Sequence, residues 1–535
     1  MPGPGKENRY TGMRAGDTLW KALAAARRSN LAAAGDRAPV PACPGATRRA
    51  LLKAMLAAGA VAALPRPARA AAPGRVAIVG GGIAGLSALH HLRRNGIDAC
   101  LYEGRRRTGG RILTQRPAEG PAFEAGAQLV NTDHDDMHAL IARFGLKLID
   151  RKEAPHRTLI LANGTLIGEE ALAEGLRPIA AQIGVHADWL DRDHANAARI
   201  LDGMSIRGYL DRHSHLIAEP WIRRLLEESA RTEYGVEPDR ASAIELIFNL
   251  PTVNGERAEV LGGADERLVI EGGSSALIAA MTDRHAARIA LGRQLRRIDR
   301  ADKRGQGPLR LHFMDGSMAE ADTLILALPA PVLRQIEYGV PIDREWQRFI
   351  AEMELGTNEK VQAAAGAMPW QGPMGTGGEL WQADEQGYSQ GWDGSVHLAG
   401  RVDPIWTWYL GGAQAAEPGA ADELARRFAQ ASEHAIPGLI PAVAQGPWRR
   451  TGWRADPFSQ GGYVNYPPGQ LTRFGGLLWL ESDDPGESQV ARSGDIFFAG
   501  EHLSDAYPGY MNGAAQTGRL AAEAIAGRRL PPQSA

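Results

Sequence analysis

Cysteine is almost missing: the 535-residue chain has Cys43 and Cys100 and no other. A disulfide framework is therefore excluded, and stability must come from a packed core. Long apolar runs are missing too. The clearest one, over residues 54–64, is about eleven residues where a spanning helix needs about 20, so no stable membrane anchor is predicted. Charge of one sign is scarce overall, at a net −2. Of the 60 Lys+Arg, 12 fall in the first seventy residues, with only 3 of the 62 Asp+Glu, which leaves 48 basic and 59 acidic residues in the remainder. An acidic body lacks the basic face that phosphate contacts require, so nucleic acid is excluded as a partner.

What is present is a folded composition, 44% hydrophobic and 23% charged. A single core stops growing at roughly 250–300 residues, so at least two lobes with a cleft are expected. The basic excess sits in a leader. Thr47-Arg48-Arg49-Ala50-Leu51-Leu52-Lys53 precedes the apolar run and then Ala68-Arg69-Ala70. This resembles a twin-arginine signal cut near residue 70, and it implies the twin-arginine export machinery as a partner and a periplasmic or secreted bacterial location. Cleavage would leave Cys100 as the only thiol.

The chemistry starts directly after the leader. Arg75-Val76-Ala77-Ile78-Val79 reads as a strand running into Gly80-Gly81-Gly82-Ile83-Ala84-Gly85 and then a helical pattern at Leu86, Leu89 and Leu92. This is strand, turn and helix with G-x-G-x-x-G in register. Gly80 permits the turn, Gly82 lets the backbone approach a pyrophosphate, and Gly85 lets the helix sit close to the strand, with Ile83 and Ala84 at the helix N-terminus that faces the phosphates. A second strand, Ala99-Cys100-Leu101-Tyr102, ends at Glu103, placed to accept from ribose hydroxyls and unsuited to a 2′-phosphate. NAD and FAD both remain open at this point.

The next residues resolve that choice by resemblance. Glu103 to Arg111 reads E-x3-R-x-G-G-R and resembles the flavin-containing amine oxidase superfamily. The resemblance implies FAD, with Arg107, Gly109, Gly110 and Arg111 along its pyrophosphate and ribityl chain, while Arg105 and Arg106 read as a solvated basic run. Ala125-Gly126-Ala127-Gln128 is similar to the segment passing beside the flavin. Some four hundred residues later, Ala499-Gly500-Glu501-His502 is similar to the second flavin signature, with Glu501 on the ribityl chain. Tyr510-Met511-Asn512-Gly513 then opens a helix whose N-terminus would stabilise the anionic reduced ring. Leu295 matches the position that meets the adenine.

The fold class implied is α/β, a discontinuous Rossmann-like FAD-binding domain (74–130, 251–335, 488–530) after a leader (1–73), plus an α+β substrate-binding domain (131–250, 336–487). The first insertion reads as mostly helical and the second, rich in Gly and Trp, as sheet. Residues 289–298 read as a strand pair.

By the same resemblance Lys360, followed by Trp370, matches the lysine that reaches the flavin N5 through a water and assists reaction with O2. Tyr510 matches one wall of an aromatic cage, and Tyr463 or Tyr466 supplies the other; the spacing does not choose between them. Tyr463 stands where monoamine oxidases carry the flavin-linking cysteine, so FAD is expected to be non-covalent. Gln128-Leu129 stands near where L-amino-acid oxidases place a carboxylate-gripping arginine, although Arg207, Arg231 or Arg454 could serve. Asp133-His134-Asp135-Asp136-His138 reads as a helix start, and no metal site is expected. The expected activity is FAD-dependent oxidation of a small-molecule amine to an imine, with O2 reduced to H2O2. The alternatives are an L-amino-acid oxidase or tryptophan 2-monooxygenase-like enzyme, an FAD-dependent desaturase or dehydrogenase, and a binding module that keeps the fold without redox chemistry.

Overall fold

The computed structural model describes residue 26 and residues 74–527, except 154–155, 249–250, 255–256, 261–264, 303–306, 372–376 and 483–487. The leader signal lies outside the described residues. Among them no helix is long and apolar enough to cross a membrane.

Strand Val76–Val79 is buried along its whole length, as a near-continuous apolar run should be when both faces of a parallel sheet are covered. Ala99–Glu103 pairs on one side and Thr323–Leu326 on the other, and Ile289–Leu291 and Ile496–Phe498 extend the sheet in parallel. Arg492–Ser493 closes one edge antiparallel. Helix Ile83–Arg94 leaves the central strand, and the last helix, Met511–Ala526, packs directly on it. Glycine makes that approach possible, because a Cβ at Gly518 would come within 2.1 Å of the Ala84 carbonyl. Ser87 Oγ donates to the Ala515 carbonyl at 2.8 Å across the same seam.

The pair expected over 289–298 belongs to two different sheets. Ile289–Leu291 lies beside Ala99–Glu103, whereas Leu295–Arg300 pairs with Leu309–Phe313 in a separate four-stranded sheet. Gly292, at φ +72°, turns the chain between them.

The second lobe is built on a seven-stranded sheet, in the order Trp448–Arg450, Asn358–Ala364, Ile405–Gly411, Gln390–Asp393, Gly378–Gln382, Arg157–Ala162, Thr165–Leu166. Alternation assigns its two faces. Val361, Ala363, Trp406 and Trp408 enter an apolar cluster with Trp370 and Phe428. Lys360 and Gln390, each a cross-strand partner of Tyr409, share the opposite face with it. Helices Glu169–Arg192 and Pro220–Tyr234 come from the first insertion, which also supplies strand Arg157–Ala162. Two pieces of the insertions sit instead with the parallel sheet. Trp346 stacks on Phe498 at 3.9 Å, and helix Asp135–Arg143 is tied to the last helix through Asp136 and Arg519. These stretches cover the parallel sheet and its last helix.

Candidate active site

A cavity of about 630 Å³ runs between the parallel sheet and the seven-stranded sheet. Its wall at one end is the glycine turn. Gly80 takes φ +110°, and its N–H donates to the Tyr102 carbonyl at 2.9 Å. A Cβ on Gly85 would lie 1.9 Å from the Gly80 carbonyl oxygen, so this glycine serves packing. Gly82 differs, since a Cβ there would meet nothing within 4 Å and would project into free space at the start of helix Ile83–Arg94. A glycine with open room before a helix N-terminus, in a cavity that Ile83 and Ala84 also line, fits a pyrophosphate seat. Glu103 lines the same end, its two oxygens accepting from the Gly81 and Arg105 amides at 2.6 and 2.7 Å.

The arginines divide otherwise than the sequence suggests. Arg107 does not line the cavity; its guanidinium donates to the Thr108 and Gly110 carbonyls, both at 3.0 Å, and shapes the loop instead. Arg105, read as part of a solvated run, is the one that faces inward. It bonds Asp456 Oδ1 at 2.5 Å and Ser459 Oγ at 2.9 Å and lies over the Phe458 ring. The segment 453–459 thus straps the nucleotide end, and nothing local in the sequence marks a partner 351 residues away. Gly109 donates to the Gly81 carbonyl at 2.7 Å, and Gly110 borders the cavity beside Gly82.

Further in, Arg111 Nη1 meets Glu501 Oε1 at 2.8 Å and the Gly462 carbonyl at 2.5 Å, while Glu501 Oε2 accepts from the Gly509 amide. Ala127, Gln128, Leu295, Gly500 and Met511 all line the cavity. Gly126 is required here, because a Cβ would sit 2.0 Å from the Arg111 carbonyl. The buried Glu124 carboxylate locks this segment by accepting from the Ser274 amide and the Thr114 hydroxyl.

Lys360 Nζ donates to the Glu124 and Gly126 carbonyls at 3.1 and 2.8 Å and lies 5.6 Å from the centre of the Trp392 ring. Burial pushes its amine down from 10.5 to about 8, against the opposing pull of the Glu124 and Glu266 carboxylates. Trp370 is elsewhere, fully buried against Trp406 in the apolar cluster behind the sheet. The structure also separates the two tyrosines. Both line the cavity, but Tyr466 is 1% exposed and its hydroxyl is given to the His502 carbonyl. Tyr463 packs toward Gly509, next to Tyr510, its hydroxyl held between the Thr232 carbonyl and Tyr409.

Several wall residues escaped the sequence reading. His134 stands at the N-cap position of helix Asp135–Arg143, accepts from the Asn131 amide on Nδ1, and sets its ring against Tyr507 and Tyr510. Burial takes its imidazole down from 6.5 to about 3, so it is neutral. Glu233 and Glu266 bring carboxylates to the wall, beside Gln390, Trp392 and Tyr409. The arginines offered as carboxylate grips do not line it. Arg207 pairs with Glu227, and Arg231 with Glu228 and Glu237, while Arg454 is also outside the wall. Cys100 stands apart, its sulfur 3.9 Å from Arg288.

Comparison with known proteins places this geometry. The family model of flavin containing amine oxidoreductases matches residues 83–526. The chain is 28% identical over 477 residues to AofH, a Mycobacterium tuberculosis protein assigned as a flavin-containing monoamine oxidase, covering 84% of this chain and 96% of that one. It is 24% identical to nicotine dehydrogenase of Pseudomonas putida, covering 84% and 88%. Putrescine oxidase bound to putrescine superposes with a TM-score of 0.70 at 20% identity, covering 85% of this chain and 99% of that one.

Proposed function

The chain belongs to the family of flavin containing amine oxidoreductases, and on that footing we propose that it is an FAD-dependent oxidase of small cationic amines. Bound along the cavity, FAD would supply the electron sink: a hydride would leave the carbon bearing a neutral amine and a proton its nitrogen, the imine would hydrolyse to a carbonyl and ammonia or amine, and O2 would take the two electrons and two protons to become H2O2. The observation that carries the reading is Lys360, a buried amine of lowered basicity, set between the two flavin signatures and the substrate sheet.

The protein's own residues divide the work. Gly82 and the N-terminus of helix Ile83–Arg94 seat the pyrophosphate, Glu103 the ribose, and Arg111 with Glu501 the ribityl side. Tyr463, Tyr510 and Trp392 offer aromatic faces that orient an amine and keep water out. Lys360 holds a proton near neutral pH at the point where charge builds on reduced oxygen. Carboxylates on the substrate wall, with the nearby arginines committed elsewhere, favour a cationic amine over an amino acid. Among the described residues no cysteine lines the cavity, which supports non-covalent FAD. The leader with Arg48-Arg49 supports export in folded form, because the cofactor must be loaded before the membrane is crossed.

The test is peroxide release from the purified yellow protein with primary amines and L-amino acids side by side, alongside Lys360→Met. Peroxide from amines, with slower flavin reoxidation in the variant, is expected. Activity confined to amino acids would overturn the amine assignment, and flavin reduction without peroxide would make it a dehydrogenase. Acid precipitation should leave the yellow colour in solution.

A further inference from the structure

Among the described residues that line the cavity, Glu266 is the only non-glycine with a left-handed backbone, at φ +43°. Strain of this kind persists only where surrounding contacts impose it, and here they are explicit. The Glu266 amide donates to Asn131 Oδ1 at 3.0 Å, and its carbonyl accepts from Arg151 Nε at 2.9 Å. The backbone is clamped at both ends so that this side chain borders the cavity.

The carboxylate itself differs from its neighbours. Glu103, Glu124 and Glu501 each accept from backbone amides or from Arg111. Glu379, close behind, is matched by Lys152 and Gln390. Glu266 has no side-chain hydrogen bond or ion pair among the described residues. Burial disfavours its charge, Glu379 and Asp265 add to that, and Lys152 and Arg151 oppose it. Lys152 is engaged by Glu379, and Arg151 gives its Nε to the Glu266 carbonyl while its two other guanidinium nitrogens bond nothing among the described residues; neither side chain forms an ion pair with the Glu266 carboxylate. The carboxylate is near enough to act electrostatically on both Lys360 and Tyr409. A desolvated acid held by a strained backbone in a substrate cavity, with no direct ion pair among the described residues, is suited to receive a cation from the cavity.

We propose that Glu266 pairs with a second, distal ammonium of the substrate, so that this oxidase selects diamines and other dications over monoamines. The proposal rests on the amine-oxidase reading. One amine is oxidised in neutral form between Lys360, Tyr463 and Tyr510, while the other stays protonated on Glu266 and fixes the register of the chain between them.

The experiment compares holoenzyme kcat and KM for 1-aminoalkanes and α,ω-diaminoalkanes of three to six carbons, in the wild type, Glu266→Gln and Glu266→Asp. In the wild type the diamines should have the higher kcat/KM, with an optimum in chain length that the monoamines lack. Glu266→Gln should lower the diamine-to-monoamine ratio of kcat/KM by about 10- to 100-fold, mainly through KM, as expected for loss of a charge-assisted hydrogen bond. Glu266→Asp should recover part of the ratio with a longer optimal diamine. An unchanged ratio in Glu266→Gln, or no diamine preference in the wild type, would overturn the role of Glu266 while peroxide from monoamines kept the amine-oxidase reading standing. Should no amine reduce the flavin, that reading falls, and the inference with it. The wild-type series alone decides the matter if the variants do not fold.

Discussion

Lys360→Met should change how stability depends on pH. In the folded protein the buried Lys360 amine titrates at about 8, against 10.5 for an ordinary lysine. The folded state therefore refuses a proton that the unfolded chain accepts, and between those values the unfolded state binds more protons. Stability then rises with pH across this window. The gap between 10.5 and about 8 corresponds to about 3 kcal/mol, of which about 2 kcal/mol is gained between pH 7.5 and 10. Methionine has a similar length and no proton, so it removes this dependence while leaving the Glu124 and Gly126 carbonyls unbonded, a cost that does not vary with pH. Urea unfolding of holoprotein, followed by tryptophan fluorescence at pH 7.5, 8.5 and 10, measures the difference. The wild type should gain about 2 kcal/mol on the variant from the lowest pH to the highest. Parallel pH profiles for the two proteins would refute a desolvated lysine at this site.

Two glycines only three apart should respond in opposite ways. Gly82→Ala should leave the flavin-stripped protein within about 0.5 kcal/mol of wild type in a thermal melt, yet weaken FAD binding in a fluorescence titration, because its methyl enters only the cofactor's space. Gly85→Ala should cost about 3 kcal/mol or more with or without FAD, since its methyl strikes the Gly80 carbonyl. Asp456→Asn should speed FAD release on dilution by about tenfold or more, as it unpairs the 11%-exposed Arg105 and loosens the strap; an unchanged rate would mean that segment 453–459 does not retain the cofactor.

The nucleotide turn was legible because its logic is local. Gly80, Gly82, Gly85 and Glu103 lie on one strand-turn-helix-strand unit, and each glycine has the room or the contact that its spacing implies. Arg105 was not legible, since its partners Asp456 and Ser459 are brought to it by the fold, and in sequence it is one of three consecutive arginines. The choice between Tyr463 and Tyr466 was open for a similar reason. Only the return of residues 501–510 shows that the Tyr466 hydroxyl is given to the His502 carbonyl while Tyr463 lies against Gly509. Glu266 could have been suspected only from its backbone conformation, which no periodicity encodes. Trp370 shows the opposite hazard, because a residue type and spacing that suggest a site resemblance here serve the core.

The contact between Gly518 and Ala84, sealed by Ser87 and Ala515, sets an order of assembly during synthesis. The central sheet joins strands near residues 76, 323 and 496, and helix Met511–Ala526, which packs on helix Ile83–Arg94, is made after all three. Pairings of such long sequence separation form slowly, and here they cannot be complete before residue 498 has been made. The early segments must wait with the apolar faces of Leu86, Leu89 and Leu92 uncovered, a natural substrate for a holding chaperone. Loss of even the final turns of helix Met511–Ala526 should then appear as aggregation of the nascent protein, well before any question of turnover arises.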